Sequence, residues 1–473
     1  MLFTDLPFAG FFGLVFVVHW ALQSNRQRKL WLLAASYVFY GLWDWRLLGL
    51  LGALTALFWL VGLRIQDAAT QARRRAWLLL ACVAGLGALG TFKYLDFFMA
   101  SAAELSRALG WPLGWNELHL VLPVGISFYV FHSLGYVVDV HRGIIPARRD
   151  LGDFALFVAF FPQLVAGPIL RATHMLPQFD TARRFEAVPL RDCLMLFLLG
   201  FIKKAVIADT LGGIIDPVFA APGAYAGTAL FGAVLCYAVQ IYCDFSGYTD
   251  MALACAGLLG YRFPANFNRP YLAVGLVDFW RRWHISLSGW LRDYLYIPLG
   301  GNRHGRWRRT RNLLLTMMLG GLWHGAAWTF LAWGTLHGLG LVAEHAGVAA
   351  VQRLGWAVPP RWQWPLRLLG WAATFWFVCL CWVFFRAPDL DRALIIAAGF
   401  ATLSPPGGAA LALDWLPVLA GLGLLHWGAP RLQALMAPAQ WPASRFAAGF
   451  GAAWALALAL KFMGDRPFIY FQF

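Results

Sequence analysis

Long apolar runs separated by short basic loops occupy most of the chain. Residues 77–90 and 368–385, for example, contain no charged side chain. Such runs predict transmembrane helices, because about 20 apolar residues are needed to cross a bilayer as a helix. A transmembrane β-barrel would instead show short alternating segments between turns. The pattern therefore predicts an all-α, multispanning integral membrane protein.

The apolar runs also indicate where helices turn. Residues 30–63 are long enough for a tight helical hairpin that turns at residues 43–45. Residues 76–138 predict two helices on either side of a polar segment at 101–119. The first run, residues 6–22, lacks a basic stretch before it and a small-residue cleavage site after it. We expect it to be a retained first helix rather than a signal peptide.

The pattern changes in the middle of the chain. A crossing pair is predicted at residues 194–209 and 229–240, joined by a glycine- and proline-rich connection at 212–227. Residues 244–301 are too polar and too aromatic for plain lipid-facing helices. Such segments are tolerated at membrane depth only when they are buried in protein or line a cavity. We therefore predict re-entrant or interfacial helices around a central tunnel.

Composition and charge predict the number of transmembrane helices and the orientation of the chain in the membrane. Of 473 residues, 60% are hydrophobic and 13% are charged, compared with about 45–50% and about 25% in soluble domains. This predicts roughly 9 to 12 transmembrane helices. The net charge of +15 lies in short loops, most strongly at residues 303–311. Basic loops face the cytoplasm, so the charge predicts topology rather than nucleic-acid binding.

Ionisable side chains inside membrane segments are costly, and each marks a candidate functional position. A first group contains Gln240, Asp244, Ser246 and Asp250. A polar network that ties helices together explains such a group. A helix cap at Asp244 or Ser246 would also account for part of it. We interpret the four residues as a polar network and extend it to Asp278.

A second group interleaves charges with aromatic rings over residues 278–301. Its candidate site residues are Arg281, Arg282, His284, Arg292, Asp293 and Tyr294. An interfacial helix is one interpretation, because tryptophan and arginine both suit the headgroup boundary. The charges are more numerous than anchoring requires, which favours a binding or catalytic site.

A third group lies in the apolar stretch 320–338 and contains His324, His337, Trp323 and Trp328. On one straight helix the two histidines would face about 140° apart, so we expect no shared metal site. Nearby glycines would let a backbone or a ligand approach closely. Imidazole is the natural general base near neutral pH. His324 is therefore the leading candidate for catalysis.

Residues 240–338 resemble the membrane-bound O-acyltransferase superfamily, in its bacterial branch of alginate O-acetylase-like proteins. The matching strings are QIYCDFSGYTDMA, NFNRPY, DFWRRWHISLSGWLRDYLYIPLGG and GGLWHGAAWTFLAWGTLHG. LPVGISFYVF, FFPQLVAGPI and the closing PFIYFQF also fit, so the resemblance covers nearly the whole chain. It implies one transmembrane domain over 1–473, with N-terminal helices at 1–120, a catalytic core at 121–345 and C-terminal helices at 346–473.

The resemblance also implies roles for individual residues. The family's histidine corresponds to His324, and its second polar position, about 30 residues upstream, corresponds to Asp293. Both are expected to be catalytic, with Asp293 orienting or charge-balancing His324. His324 would either deprotonate a hydroxyl acceptor or carry the acyl group itself. The expected substrate-binding residues are Arg281, Arg282, His284, Arg292, Tyr294, Trp323, Trp328 and His337.

The implied reaction moves an acetyl group from cytoplasmic acetyl-CoA across the bacterial inner membrane. No tightly bound cofactor is expected, and arginines of residues 303–311 would attract the phosphates of the donor. A periplasmic or membrane-anchored acetyltransferase partner would finish the transfer to a polysaccharide. Alginate, cellulose, another exopolysaccharide and peptidoglycan stay open as acceptors. The alternative is a transporter or flippase with a buried polar path, which the absence of inverted repeats disfavours.

Overall fold

A computed structural model describes the chain except at residues 112–113, 115–117, 165–166, 304, 356–357, 405–406, 412–418, 422, 424–425, 427, 429–439, 463, 465, 467–468 and 470–473. The described part is helical, and its β-structure is limited to one bridge between Tyr225 and Ala409. Two compact units are present. The first comprises Met1–Cys193 and Ala252–Pro264, and the second comprises Leu194–Met251 and Ala265–Phe473.

The α-helices are α1 (Leu6–Ala21), α2 (Asn25–Asp44), α3 (Leu48–Asp67), α4 (Gln71–Leu89), α5 (Leu95–Ala108), α6 (Ile126–Arg142), α7 (Leu151–Ala159), α8 (Phe161–Leu164), α9 (Ala172–Asp180), α10 (Leu190–Phe201), α11 (Asp209–Ala220), α12 (Gly227–Leu258), α13 (Leu276–Trp280), α14 (Ile285–Leu291), α15 (Gly305–His324), α16 (Trp328–Arg353), α17 (Pro360–Arg386), α18 (Leu390–Thr402) and α19 (Ala443–Ala459). Among the described residues, π-helical turns continue helices at Gly90–Tyr94, Ile202–Ala208 and Arg292–Tyr296.

In the first unit, the structure confirms the predicted turn near residue 44. Helix α2 begins with a capping box in which Ser24 and Gln27 satisfy each other's backbone N–H groups. Asp44 then takes an extended backbone conformation, and its side chain accepts a hydrogen bond from the Arg46 backbone N–H. Helix α3 starts at Leu48 after one 3₁₀ turn. The polar segment is shorter than predicted, because α5 continues to Ala108.

In the second unit, two predicted helix ends are wrong. Helix α11 continues to Ala220 through most of the segment predicted as a connection. Helix α12 is 32 residues long and continues past Gln240 to Leu258. Its polar residues Asp244 and Ser246 are nearly inaccessible to solvent. Hydropathy underestimates this helix because its carboxylates are neutralised by lysines from another helix, as described below.

Helices α15 and α16 form an antiparallel pair that the sequence predicted as one straight helix. The helix ends at His324 and a new one begins at Trp328. A Cβ atom at Gly321 would lie 2.3 Å from the Phe330 carbonyl oxygen, and one at Gly334 would lie 2.3 Å from the Met317 carbonyl oxygen. The two backbones therefore approach to a distance that only glycine permits.

Four helical segments are long and apolar enough to cross a membrane within the described chain. They are Asn25–Asp67, Gln71–Ala108, Gly227–Leu258 and Pro360–Arg386, and Leu6–Ala21 and Ala443–Ala459 are shorter apolar helices. The chain is a multispanning α-helical membrane protein. The number of crossings and the central tunnel stay predictions.

Candidate active site

Helix α15 separates a basic surface from a buried imidazole. Its first turns contain Arg306, Arg308, Arg309 and Arg311, and it ends at His324. The 19 steps of 1.5 Å from Gly305 to His324 place the two ends about 28 Å apart, which is close to the thickness of the hydrocarbon core of a bilayer.

Aromatic rings enclose the His324 side chain, which is 4% exposed. The centroid of its ring lies 5.0 Å from that of Trp323, 5.1 Å from that of Trp333 and 5.2 Å from that of Phe385. All three contacts are edge-to-face, the arrangement that aromatic rings prefer. These rings orient the imidazole and exclude bulk water. The sequence pattern did not single out Trp333 or Phe385.

A second histidine lies beside the first. His284 is fully buried, and its ring centroid lies 6.3 Å from that of His324. Its backbone is left-handed, with φ of 42°, a conformation that is uncommon for a residue with a side chain. Its Nδ1 lies 3.3 Å from Asn266 Oδ1, which also accepts hydrogen bonds from the backbone N–H and hydroxyl of Ser286.

These contacts assign the tautomer of His284. The Ser286 backbone N–H can only donate, so the Asn266 atom that it contacts is the oxygen. His284 Nδ1 therefore carries the proton in the neutral ring, and Nε2 is an acceptor. This Nε2 has no hydrogen-bond partner among the described residues. Asn266 was missed as a site residue, although it lies in the matching NFNRPY string.

His337 completes a group that we call the histidine cluster, consisting of His284, His324 and His337. Its ring lies 4.8 Å from that of Trp333, so this one tryptophan contacts both His324 and His337. The straight helix on which the two imidazoles were compared is not present, because the helix ends at His324 and a new one begins at Trp328. Neither ring nitrogen of His337 has a hydrogen-bond partner in the described chain. No metal-binding group of three His, Cys, Asp or Glu occurs among the described residues.

Asp293 lies in the π-helical turn Arg292–Tyr296, the type of distortion that is frequent at functional sites. Its carboxylate pairs with Arg292, with Nε to Oδ1 at 2.6 Å and Nη2 to Oδ2 at 3.1 Å. Hydrogen bonding to Asp293 raises the pKa of the Arg292 guanidinium. A direct role of Asp293 at His324 stays a prediction.

The other predicted substrate-binding residues differ in their surroundings. Arg281 is exposed, whereas Arg282 Nε donates to Asp278 Oδ1 at 2.8 Å. Tyr294 packs its ring against Trp290. Trp328 is 50% exposed at the start of α16. Of this group, Trp323, His284 and His337 are buried with His324.

The polar network of α12 is built on two lysines that the sequence analysis missed. Lys204 Nζ lies 2.6 Å from Asp244 Oδ1 and 2.7 Å from Asp209 Oδ1. Lys203 Nζ lies 2.7 Å from Asp250 Oδ2. We call these five residues the lysine cluster. Two adjacent lysines in an apolar run were the available signal.

The remaining network residues have separate positions. Ser246 is buried on α12. Gln240 lines a small cavity with Asp244 and Lys204. Asp278 does not extend the lysine cluster as expected, because its carboxylate pairs with Arg282 four residues later.

A helical membrane fold that buries a cluster of imidazoles, as the described residues do, is typical of a membrane-embedded enzyme. The model of the membrane-bound O-acyltransferase family matches residues 147–384. The chain belongs to this family and is an O-acyltransferase.

Curated relatives indicate which branch of the family this chain resembles. A probable alginate O-acetylase of Azotobacter vinelandii is 46% identical over 395 residues, which is 83% of this chain and 76% of the relative. The peptidoglycan O-acetyltransferase of Helicobacter pylori is 37% identical over 430 residues, covering 85% and 79% of the two chains. A teichoic acid D-alanyltransferase of Streptococcus thermophilus is 32% identical over 246 residues, covering 47% and 57%. The resemblance to the alginate O-acetylase branch is confirmed.

Proposed function

We propose that the protein transfers an acetyl group from cytoplasmic acetyl-CoA, across the bacterial inner membrane, for O-acetylation of an alginate-type polysaccharide. The observation that carries this proposal is the placement of the arginine surface and His324 toward opposite ends of α15, with the arginines about 20–27 Å along the helix from His324. A donor attracted to one face of the membrane then delivers its acetyl group near the other. The identity to alginate O-acetylases supports the substrate class.

The arginine end of α15 suits the donor. Arg306 and Arg308 are exposed, and several guanidinium groups on one surface attract the phosphates of coenzyme A by long-range electrostatics. Basic loops face the cytoplasm in membrane proteins. The proposed donor side and the predicted topology therefore agree.

His324 acts in this proposal as a general base. It accepts the proton of the acceptor hydroxyl while the oxygen attacks the thioester carbonyl carbon. The new C–O bond replaces the C–S bond, and the proton passes from the imidazolium to the leaving thiolate. The ring contacts with Trp323 and Trp333 hold the imidazole in place. An extracytoplasmic or membrane-anchored acetyltransferase partner then completes delivery to the polymer.

Acetyl transfer by the purified protein in proteoliposomes tests the function. Acetyl-CoA radiolabelled in the acetyl group is supplied on the side of Arg306, with a soluble uronate oligosaccharide and the candidate partner on the other. Ester-linked label in the oligosaccharide supports the proposal. Intact labelled acetyl-CoA inside the vesicles, without ester formation, would indicate a transporter. Acid-quenched label on the protein that is lost in His324→Ala would indicate an acyl-imidazole instead of a general base.

A further inference from the structure

We propose that Asp216 is a positioning residue for the His324 site, acting by clamping the end of α17 to the C-terminal segment. This inference rests on the proposed function, because its readout is acetyl transfer. Asp216 lies on α11 and touches no ring of the histidine cluster in the contacts described above. It acts through Arg386 and Arg466.

The clamp is one carboxylate shared by two guanidinium groups. Arg386 Nη2 donates to Asp216 Oδ1 at 2.6 Å, and Arg466 Nη1 donates to Asp216 Oδ2. The side chains of Arg386 and Arg466 are 20% and 25% exposed. The Asp216 side chain is 37% exposed, so these pairs are only partly screened by solvent, and two guanidinium groups on one carboxylate hold it more firmly than a single surface pair would.

One side of the clamp is Arg466, and the described residues near it, Phe462 and Ile469, are each held by a hydrogen bond. The Ile469 backbone N–H donates to Asp244 Oδ2 at 3.0 Å. The Phe462 backbone N–H donates to the Ala205 carbonyl oxygen at 3.1 Å, and the Arg466 guanidinium lies over the Phe462 ring. Asp216 therefore joins α17 to a segment that is itself anchored.

The other side of the clamp is Arg386, which is bonded to a residue that contacts the His324 imidazole. Arg386 is the last residue of α17, and the residue before it, Phe385, is 1% exposed. The Phe385 ring contacts His324 at 5.2 Å and Trp333 at 5.3 Å between centroids. Arg386 and Phe385 share a peptide bond, so a shift of the clamped end of α17 moves one wall of the imidazole.

The charges around the clamp are balanced. One small cavity, with a volume of about 20 Å³, lies beside the clamp. It is lined by Lys204, Asp209, Asp216, Gln240, Asp244, Arg386 and Arg466. Its three cations match its three carboxylates, and the space suffices for about one water molecule. Removing the charge of Asp216 leaves one uncompensated positive charge in this group and takes away the carboxylate between Arg386 and Arg466, so their repulsion would loosen the end of α17.

The test compares kcat and donor KM of Arg386→Gln with those of Arg392→Gln in proteoliposomes. Arg392 is the matched control, because its Nε donates to the Ala220 carbonyl oxygen of the same helix α11 without contacting Asp216. We expect Arg386→Gln and Asp216→Asn to lower kcat roughly tenfold at unchanged donor KM, because small displacements at a reacting centre are costly. We expect Asp216→Glu to recover part of this loss and Arg392→Gln to retain wild-type kcat.

Each outcome decides between the two proposals. If the wild-type protein transfers no acetyl group, the proposed function fails. If it transfers acetyl and Arg386→Gln keeps wild-type kcat, the positioning role is wrong. An equal loss of kcat in Arg392→Gln, or no recovery of kcat in Asp216→Glu, would show that the clamp contributes only to general stability. Should Asp216→Asn not accumulate in membranes, Arg466→Gln loosens the same carboxylate, and unchanged kcat in that variant would overturn the proposal.

Discussion

Two clusters of buried polar side chains among the described residues of the second unit differ in how their polar atoms are satisfied. In the lysine cluster, Lys204 lies between two carboxylates at 2.6 and 2.7 Å. In the histidine cluster, His284 Nε2 and both ring nitrogens of His337 have no hydrogen-bond partner among the described residues. The charged groups of the lysine cluster are paired with one another, whereas the histidine cluster retains ring nitrogens that can still accept a hydrogen bond.

This difference indicates a structural role for the lysine cluster and a chemical role for the histidine cluster. Paired charges in a protein interior stabilise contacts between helices, and breaking the pair is costly. Buried polar atoms without partners are rare in native structures and call for an explanation such as catalysis. Imidazole nitrogens held by aromatic rings fit that explanation, because they can accept a proton from a substrate. Mutations in the lysine cluster should therefore affect mainly stability, whereas loss of the catalytic imidazole in the histidine cluster should affect chemistry as well.

The largest expected effect is on chemistry, from His324→Ala. Loss of a general base lowers the rate of acetyl transfer by about 10²–10⁴-fold. His337→Ala is the matched control, because His337 is equally enclosed and contacts the same Trp333. We expect both variants to lose stability through the cavity that each creates. Activity of His337→Ala should stay within about tenfold of wild type, as expected for a positioning contact, and equal losses would contradict the assignment of the base.

The second effect is on stability, from Lys204→Met. Lys204 is 1% exposed, and its loss leaves Asp209 and Asp244 without their shared cation. Such breaks cost about 3–5 kcal/mol in unfolding free energy. Lys203→Met is the control, because Lys203 is 18% exposed and faces one carboxylate. Denaturation monitored in detergent should show the smaller loss for Lys203→Met, and the reverse order would contradict the structural role of the lysine cluster.

These two clusters also show how far the sequence was informative. The strings around His324 and Asp244 identified both regions, because ionisable residues are conspicuous in apolar runs. The contacts were not predictable. Lys204 pairs with Asp244 forty positions away, and the break after His324 replaces one helix with two, bringing His337 back to the same tryptophan. Hydropathy reports burial, whereas pairing depends on the tertiary packing of distant segments.

A third variant tests the backbone that supports the histidine cluster. In Gly334→Ala the new Cβ would lie 2.3 Å from the Met317 carbonyl oxygen, so α15 and α16 must move apart. Overpacking of this kind costs about 1–3 kcal/mol. Gly347→Ala on the same helix meets nothing within 4 Å and should be neutral or stabilising by up to about 1 kcal/mol. We expect thermal stability and acetyl transfer to fall together in Gly334→Ala alone, and a stable, fully active variant would contradict the close approach.

The smallest expected effect is on the KM for acetyl-CoA, from substitutions at the arginine end of α15. The double variant Arg308→Gln and Arg309→Gln removes charge about 22 Å or more along the helix from His324, so kcat should not change. Surface charges act mainly on encounter and are screened beyond a Debye length of about 8 Å at physiological salt. We therefore expect the KM for acetyl-CoA to rise a few-fold, at roughly tenfold most, and to depend less on salt. Arg73→Gln with Arg75→Gln, at exposed positions near the start of α4 in the first unit, is the charge-matched control and should keep the wild-type KM. If the α15 variant inserts normally and shows wild-type KM at every salt concentration, these arginines set orientation in the membrane without attracting the donor.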